Sequence, residues 1–318
     1  MKEPLLYLAP FQGITTDIFL DVYSKFFPGA DKFFTAFFSS VQKSKKLNRK
    51  VHNPELNEIN GIKVVPQILS KEASEIVRFA NICKNYGYDE INWNLGCPFK
   101  RVAMKKRGSG LLPYPQTIDE ILKEVFDKTD IKLSVKSRLG YYDASEIFDL
   151  IPVFNKYGIS ELIIHARIGT QLYKGGVDTI TFGNMQGKTK AELCYNGDIF
   201  TAEDFLKFKK MFPRVNIWMV GRGFLRNPFL PAEIKNTAVK NDRRITVRRF
   251  TEELYYRYRK ESNDALQSLN KMKELWSYLS YLFDNHTKVF GTIKKSKTFD
   301  QYEDAVKRVF DVYGSKII

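Results

Sequence analysis

Eight short, largely apolar runs constrain the fold of the first 230 residues more than any other feature of this sequence. They are Leu5–Ala9, Phe33–Ala36, Val64–Ile68, Glu90–Asn94, Leu133–Lys136, Leu162–His165, Leu193–Asn196 and Ile217–Val220. Such runs, without polar alternation, are typical of strands buried on both faces of a parallel sheet. Helical patterns lie between most of them, at Glu72–Tyr86, Ile118–Lys128, Ser145–Lys156 and Ala202–Phe212. Eight strands with intervening helices predict an α/β fold, a (β/α)8 TIM barrel.

A doubly wound sheet is the alternative architecture. It usually has fewer strands, and its dinucleotide-binding form places a G-x-G-x-x-G motif directly after the first strand. No such motif follows Leu5–Ala9. The pattern therefore favours the barrel.

The pattern changes near residue 240, after which only helices are predicted. Apolar residues recur at helical spacing in Thr246–Glu261, Ala265–Phe283 and Thr298–Val312. One stripe of the second segment contains Leu266, Leu269, Met272, Leu275, Trp276, Leu279 and Phe283. We therefore expect a catalytic barrel over residues 1–239 and a small helical domain over residues 240–318, joined by the polar stretch Lys235–Arg244.

The charge of the chain is strongly positive. Its 318 residues include 51 Lys+Arg and 36 Asp+Glu, a formal net charge of +15. Residues 240–318 hold 17 basic and 11 acidic side chains, so this quarter of the chain carries +6. A basic helical region favours a polyanionic partner that is contacted partly through the C-terminal segment.

Composition excludes several classes of protein. With 43% hydrophobic and 14% aromatic residues, the chain can bury a full core. We expect no membrane span, because no long apolar run occurs, and no secretory leader, because the first ten residues lack a cationic start and a cleavage site. Three cysteines are too few for a disulfide scaffold, so we expect a reducing compartment and a cytoplasmic protein.

Polar residues follow six of the predicted strands where each should end. They are Gln67, Asn92 and Asn94, Lys136 and Arg138, His165 and Arg167, Asn196 and Asp198, and Arg222. In a TIM barrel the active site lies at the carboxyl ends of the strands and in the loops that follow them. We therefore expect these side chains to meet in one site.

The segment Asn92–Pro98 is the strongest single candidate for chemistry. Cys97 follows a strand in a Gly/Pro turn and precedes a basic stretch that ends at Arg107. Nearby cations lower the pKa of a thiol and favour a functional role. Cys83, inside a helix, and Cys194, inside a strand, are predicted to be structural.

Lys136 and His165 each end a strand. Lys136 could act as a Schiff-base nucleophile, a flavin contact or a phosphate contact, and Arg138 on the same side of the strand favours a shared anionic ligand. His165 and Arg167 repeat this arrangement. We expect no metal site, because the His, Cys and carboxylate residues show no ligand spacing.

Two glycine-containing turns follow the last two strands, Asn196-Gly197-Asp198 and Gly221-Arg222-Gly223. Many barrels bind phosphate at this position with backbone N–H groups, and glycine lets the backbone approach a ligand closely. The pair of turns therefore predicts a phosphate site.

Together these segments resemble the tRNA-dihydrouridine synthase family over roughly residues 5–230. The matching pieces are Ala9-Pro10-Phe11 with Thr16-Asp17, Gln67, Asn94-Leu95-Gly96-Cys97-Pro98, Gly108-Ser109-Gly110-Leu111-Leu112, Lys136-Ser137-Arg138, His165-Ala166-Arg167, Asn196-Gly197-Asp198 and Gly221-Arg222-Gly223. The basic helical segment is similar to the family's RNA-binding C-terminal domain. A departure is Phe11-Gln12, where the family commonly has Met followed by a small or acidic residue.

The resemblance implies an FMN-dependent reductase of a tRNA uridine that uses NAD(P)H. The implied cofactor-binding residues are Pro10, Phe11, Gln12, Gln67, Lys136, His165, Asn196, Gly197, Asp198, Gly221 and Arg222. Cys97 is the implied general acid, and Asn94, Arg138 and Arg167 are the implied substrate contacts. The partner implied is tRNA, with no membrane and no metal, and we expect a monomer.

The chemistry of the residues agrees with this assignment. Saturation of the uracil 5,6 double bond requires a hydride at one carbon and a proton at the other. A flavin supplies hydride from one face, and a cysteine thiol is a suitable acid. A base stacked in RNA is inaccessible and must be everted into a pocket, which favours a loop uridine.

Three alternatives belong to other classes. One is a flavin-dependent barrel reductase of a free pyrimidine or another small molecule, which needs no basic helical segment. Another is a lyase or aldolase without flavin that uses Lys136 as a Schiff base. The third is a catalytically silent RNA-binding barrel, against which the presence of Cys97 and Lys136 argues.

Overall fold

The computed structural model describes residues 3–39, 57–237, 242–262 and 264–314. The strands are β1 (Leu5–Leu8), β2 (Lys32–Phe34), β3 (Glu58–Ile59), β4 (Ile62–Val65), β5 (Gln67–Ile68), β6 (Glu90–Leu95), β7 (Lys132–Gly140), β8 (Glu161–Ile168), β9 (Glu192–Asn196) and β10 (Ile217–Val220). All eight predicted strands are present. The predicted boundary after residue 239 lies outside the described residues.

The sheet closes into a barrel of eight parallel strand positions. β1 pairs with β10 on one side and with β2 on the other, and β6 to β10 pair in sequence. The third position is shared by β4, which pairs with β2, and β5, which pairs with β6. Pro66 separates the two pieces, and its carbonyl accepts a hydrogen bond of 2.9 Å from the Asn92 N–H. The TIM-barrel prediction is confirmed.

Helices cover the outside of the barrel. They are Asp17–Phe26, Ala73–Asn85, Lys100–Ala103, Pro115–Lys128, Glu146–Phe154, Thr179–Met185, Ala202–Met211, Arg222–Arg226 and Leu230–Ile234. Local chemistry fixes where several of them begin. Thr201 and Asp204 form a capping box, and Pro115 occupies a first-turn position that needs no N–H.

In the part of the chain that is described, four α-helices follow the barrel, Arg243–Glu261, Ala265–Leu279, His286–Lys294 and Phe299–Tyr313. The first packs on Asp17–Phe26, where the Phe250 ring lies 4.9 Å from the Phe27 ring. The predicted stripe of Ala265–Leu279 is buried from Leu269 to Leu279, but Leu266 is 60% exposed because it lies in the first turn, beyond the packed face. The helix His286–Lys294 was not predicted.

Charged residues fill the barrel at the amino ends of its strands. Lys32 Nζ lies 2.6 Å from Glu161 Oε1 and 3.2 Å from Glu90 Oε2, and Lys63 Nζ lies 2.9 Å from the same Glu90 oxygen. The Tyr7 hydroxyl donates to Glu161 at 2.8 Å. Because these carboxylates are largely removed from water, each needs a cation beside it.

No helix within the described residues is long and apolar enough to cross a membrane.

The substitution Lys32→Met should destabilise the protein by about 3–5 kcal/mol, because it leaves the Glu161 carboxylate buried without its cation. The free energy of unfolding in urea measures this loss. Lys128→Met is the control, since Lys128 forms an exposed pair with Glu124 within one helix and should matter little. Equal effects of the two substitutions would contradict the role given to Lys32.

Candidate active site

A pocket opens at the carboxyl ends of the strands, as the barrel prediction requires. It has an empty volume of about 520 Å³ and is lined by Ala9, Pro10, Phe11, Lys136, His165, Tyr173, Asn196, Gly197, Asp198, Ile199, Phe200, Met219, Val220, Gly221, Arg222 and Gly223. The lining residues come from the ends of β1 and β7–β10 and from the loops that follow them. The structure therefore brings segments far apart in sequence into one site.

One carboxylate organises the charged residues beside this pocket. Asp198 accepts hydrogen bonds from Arg167 Nη1 at 3.0 Å and from Arg222 Nη2 at 3.0 Å. Arg167 is 2% exposed and also donates to the Gly175 carbonyl at 2.7 Å. Asp198 has a positive φ of 41°, a conformation that aspartate tolerates better than most residues. This ion pair joins the carboxyl end of β8 to the segments that follow β9 and β10.

Lys136 has no carboxylate partner among the described residues. Its Nζ donates to Asn196 Oδ1 at 3.1 Å, and Asn196 in turn donates to the Met219 carbonyl at 2.7 Å. Burial, and then the charge of Arg138, lower the pKa of Lys136 to about 8. The ammonium is therefore held beside the pocket at a cost that a bound anion would offset.

His165 is neutral in this setting. Burial, and then the charges of Arg138 and Lys136, hold its pKa well below the usual range. Arg167 Nη1 lies 3.1 Å from His165 Nε2, and a guanidinium can only donate, so Nε2 is the accepting nitrogen and the ring proton is assigned to Nδ1. The neutral ring presents Nδ1 as a hydrogen-bond donor.

The backbone approaches the pocket closely at two glycines. Gly197 has a φ of +152°, and a Cβ there would lie 2.7 Å from Val177. A Cβ on Gly221 would lie 3.2 Å from the Phe11 ring. Val177 and Phe11 therefore leave little room for a larger residue at these two positions of the predicted phosphate turns.

The backbone N–H and the backbone carbonyl of Cys97 are both hydrogen-bonded. Its N–H donates to Asn94 Oδ1 at 2.9 Å, and its carbonyl accepts from both the N–H and the Oγ of Ser109, each at 3.1 Å. Gly108 permits this approach, because a Cβ on it would lie 2.6 Å from the Cys97 carbonyl oxygen. The Gly108-Ser109-Gly110 turn therefore positions the cysteine.

The thiol of Cys97 is protonated at neutral pH. Burial raises its pKa, and this effect exceeds the opposing influence of the Phe99 backbone N–H and of the Arg138, Arg101 and Lys136 charges. Cys83 and Cys194 are also free and buried. Cys97 and Cys194 both lie close enough to Lys136 to feel its charge, but Cys194 lies within β9, whereas Cys97 lies in the loop after β6.

A chain of hydrogen-bonded side-chain amides inside the barrel holds the Asn94 side chain. Gln67 Nε2 donates to Asn92 at 2.8 Å, Asn92 Nδ2 donates to Ser134 at 2.9 Å, and Asn94 Nδ2 donates to Gln67 Oε1 at 2.7 Å. Gln67 and Asn92 are fully buried. The orientation of Asn94, and through it the backbone of Cys97, is thus fixed by the barrel interior.

Nine of the eleven residues predicted to hold a cofactor line the pocket, while Gln67 lies in the amide chain and Gln12 is exposed outside it. Among the predicted substrate contacts, Arg138 is 1% exposed and donates to the carbonyls of Gly96, Ile168 and Leu172. Arg167 donates a hydrogen bond to Asp198. The polar side-chain atoms of Asn94 are also bonded within the protein.

Sequence reasoning missed three residues of this region. Tyr173 and Phe200 line the pocket from loops that carry no motif, so no local signal could have found them. Ser109 lies inside the Gly-Ser-Gly segment, which did carry a signal, but its two bonds to Cys97 require the folded loop.

Within the part of the chain that is described, no group of three His, Cys, Asp or Glu side chains is placed to hold a metal ion.

Comparison with known proteins adds three findings. A family model described as dihydrouridine synthase matches residues 7–313. The tRNA-dihydrouridine synthase B of Pasteurella multocida is 30% identical over 232 residues, 71% of this chain and 67% of that protein. The tRNA-dihydrouridine(16) synthase of Neisseria meningitidis serogroup A is 24% identical over 335 residues, 99% of this chain and 96% of that protein.

A solved structure supports the architecture. A variant of NCR from Zymomonas mobilis superposes with a TM-score of 0.51 at 12% identity, covering 76% of this chain and 89% of that one. This likeness concerns the fold alone.

The substitution Lys136→Met should stabilise the ligand-free protein by about 1–3 kcal/mol at pH 7, with the lost bond to Asn196 already counted. Between about pH 8 and pH 10.5 the unfolded chain binds a proton on this lysine that the folded protein lacks, so the stability of the wild type rises with pH there. The advantage of the variant should therefore shrink across that window. Urea unfolding of both proteins from pH 7 to pH 10.5 measures the difference, and a variant that is less stable at every pH would contradict the account.

Proposed function

The chain belongs to the dihydrouridine synthase family, and from that premise we propose that it reduces a uridine of tRNA to 5,6-dihydrouridine with a bound flavin mononucleotide and NAD(P)H. The observation that carries this proposal is the pairing of two features at one end of the barrel. One is a cationic pocket lined in part by Gly197 and Gly221. The other is a protonated cysteine, Cys97, which does not line the pocket but is rigidly held close enough to the pocket residue Lys136 to feel its charge.

The pocket residues fit a flavin phosphate. Lys136, Arg167 and Arg222 together carry more positive charge than Asp198 can balance, so the pocket favours an anionic ligand. Gly197 and Gly221 both line the pocket, where a phosphate would take backbone N–H donors. Pro10 and Phe11 supply an apolar wall for the ring. The same arguments do not place Gln12 or Gln67 against the cofactor.

Bound in this pocket, the flavin supplies the hydride that one carbon of the uracil double bond receives. The residues of this chain orient the bound groups and supply the proton. Lys136 and the Nδ1–H of His165 donate hydrogen bonds into the pocket and orient what binds there. Cys97 delivers the proton from its Sγ to the other uracil carbon.

The raised pKa of Cys97 suits this role. A thiol that stays protonated at neutral pH is ready to act as an acid, whereas a thiolate would first have to be reprotonated. Asn94 and Ser109 fix the backbone on either side of the cysteine and thereby aim the thiol. We propose that Asn94 acts chiefly in this way, because its polar atoms are bonded within the protein.

The substrate enters over a basic rim. Lys100, Arg101, Lys105 and Lys106 are exposed in the segment that follows Cys97, together with Phe99 and Met104. Such a surface suits an RNA backbone with unstacked bases beside it. The division into a catalytic barrel over residues 1–239 and an RNA-binding helical domain over residues 240–318 remains part of this proposal.

Heat-denatured protein should release FMN rather than FAD, because the cations Lys136 and Arg222 and both glycine-containing turns line one pocket. Chromatography of the released chromophore measures this. Lys136→Gln should reduce flavin retention, and Lys207→Gln, at an exposed position on an outer helix, should not. Release of FAD would contradict the proposal.

The substitution Cys97→Ala should lower uridine reduction by about 10²–10⁴-fold while NAD(P)H still reduces the bound flavin, because only the proton donor is lost. Single-turnover measurements of the two half-reactions separate these effects. Cys83→Ala is the matched control, since Cys83 is a buried thiol in a helix away from the pocket. Normal uridine reduction by Cys97→Ala would remove the cysteine from the chemistry.

A further inference from the structure

A row of alternating aromatic rings and guanidinium groups runs from the mouth of the pocket onto the C-terminal helices. Its members, in spatial order, are Tyr173, Arg222, Phe200, Arg226, Tyr281 and His286. The four guanidinium-to-ring separations along it are 5.2, 5.3, 4.8 and 3.8 Å. The last two rings stack with centroids 4.5 Å apart and planes 15° apart. We call these six residues the cation–aromatic row.

Arg226 is the unusual member of the row. Its guanidinium lies between the Phe200 and Tyr281 rings and has no hydrogen bond or ion pair with any described residue. Its Nε is buried without a partner among them. Arg222, by contrast, donates to Asp198. Arg226 is therefore a cation stacked between two rings, one of which lines the pocket, and its Nη groups, unlike its buried Nε, are open to a ligand.

The outer end of the row continues into a positively charged surface. Lys288, Lys294, Lys295 and Lys297 are exposed, and none lies within ion-pair distance of a carboxylate among the described residues. Several arginines of the helix Arg243–Glu261 differ. Arg248, Arg257 and Arg259 pair with Glu252, Asp21 and Glu303. Arg244, Arg249, Lys260, Lys307 and Arg308 are also exposed and outside every ion pair of the described residues, so the distinction of residues 286–297 is that the row ends there.

We propose that the single-stranded RNA segment next to the everted uridine runs along the cation–aromatic row and onto residues 286–297, an inference that rests on the proposed function. Arg226 binds the backbone phosphate nearest the pocket. Tyr281 has both faces covered, by Arg226 and His286, so the exposed imidazole of His286 is the ring on which a flanking base stacks. The four lysines bind the phosphates that follow.

The row favours RNA over an acidic protein partner. Carboxylates would need only the positive charges, whereas the exposed His286 ring, stacked on Tyr281, also provides a stacking surface for a base. The row also leads into the pocket in which the uridine must lie. A strand that follows it therefore has its phosphates and one of its bases bound while a neighbouring base enters the barrel.

Binding of an unmodified tRNA transcript, titrated at several salt concentrations, tests the proposal. Lys294→Gln/Lys295→Gln should weaken binding and reduce the slope of log K against log salt by roughly 0.7 for each phosphate that the variant no longer neutralises. The matched control is Lys207→Gln/Lys210→Gln, which removes the same charge from the outer helix Ala202–Met211. This control should leave both the affinity and the slope near the wild-type values.

Two further variants test the row itself. His286→Ala should weaken tRNA binding by roughly 5- to 150-fold, and His286→Phe should retain most of the affinity because it keeps a ring to stack on. Arg226→Gln should weaken binding about tenfold and leave the flavin content unchanged. Loss of flavin from Arg226→Gln would instead assign that guanidinium to the cofactor phosphate and overturn its place in the proposal.

The outcomes separate this proposal from the proposed function. Wild-type protein that fails to bind tRNA at low salt would overturn both. Wild-type protein that binds tRNA, with lysine variants equal to their control and His286→Ala unchanged, would overturn the RNA path alone. Circular dichroism spectra that match the wild type show that each variant is folded.

Discussion

The ion pair of Asp198 with Arg167 and Arg222 is the interaction on which the site depends. It joins the carboxyl end of β8 to the segments that follow β9 and β10, so three strand ends that are distant in sequence share one carboxylate. That carboxylate neutralises only part of the surrounding charge. Lys136 and Arg138 remain unpaired with any described carboxylate, and burial together with their charges keeps His165 neutral. The pocket therefore favours an anionic ligand. The excess positive charge that destabilises the ligand-free protein is also the charge that an anion would neutralise.

Strand positions were predictable because burial on both faces leaves an unmistakable apolar run. The eight apolar runs correspond to the eight strand positions of the barrel. Because active-site residues of a TIM barrel lie at the carboxyl ends of its strands, the same pattern predicts that Lys136, His165, Asn196 and Asp198 lie at one rim. Side-chain roles were less predictable. That Arg138, Arg167 and Asn94 contact the substrate stays a prediction. The structure adds that each also bonds within the protein, and a sequence does not show which carbonyl or carboxylate lies within reach. Tyr173 and Phe200 were missed for the same reason.

The basic side chains of the C-terminal helices fall into two groups, those in ion pairs and those without one among the described residues. Along Arg243–Glu261 the arginines are largely used in ion pairs, one of which reaches Asp21 on the barrel. Phe250 packs among the rings of the first barrel helix, and Tyr278 meets Phe11 at the pocket edge with ring centroids 5.8 Å apart. Residues 286–297 keep their lysines unpaired among the described residues. The net charge of the sequence does not separate basic residues in ion pairs from those without one, because each arginine or lysine counts as +1 in either case.

The central claim is that the cationic pocket and Cys97 act together on a uridine within tRNA. The most direct measurement is mass spectrometry of nucleosides from an unmodified tRNA transcript after incubation with the purified protein and NADPH. The account predicts that one uridine gains the mass of two hydrogen atoms, with one NADPH consumed for each dihydrouridine formed. A transcript left unchanged by a flavin-loaded protein that efficiently reduces a free pyrimidine would contradict it.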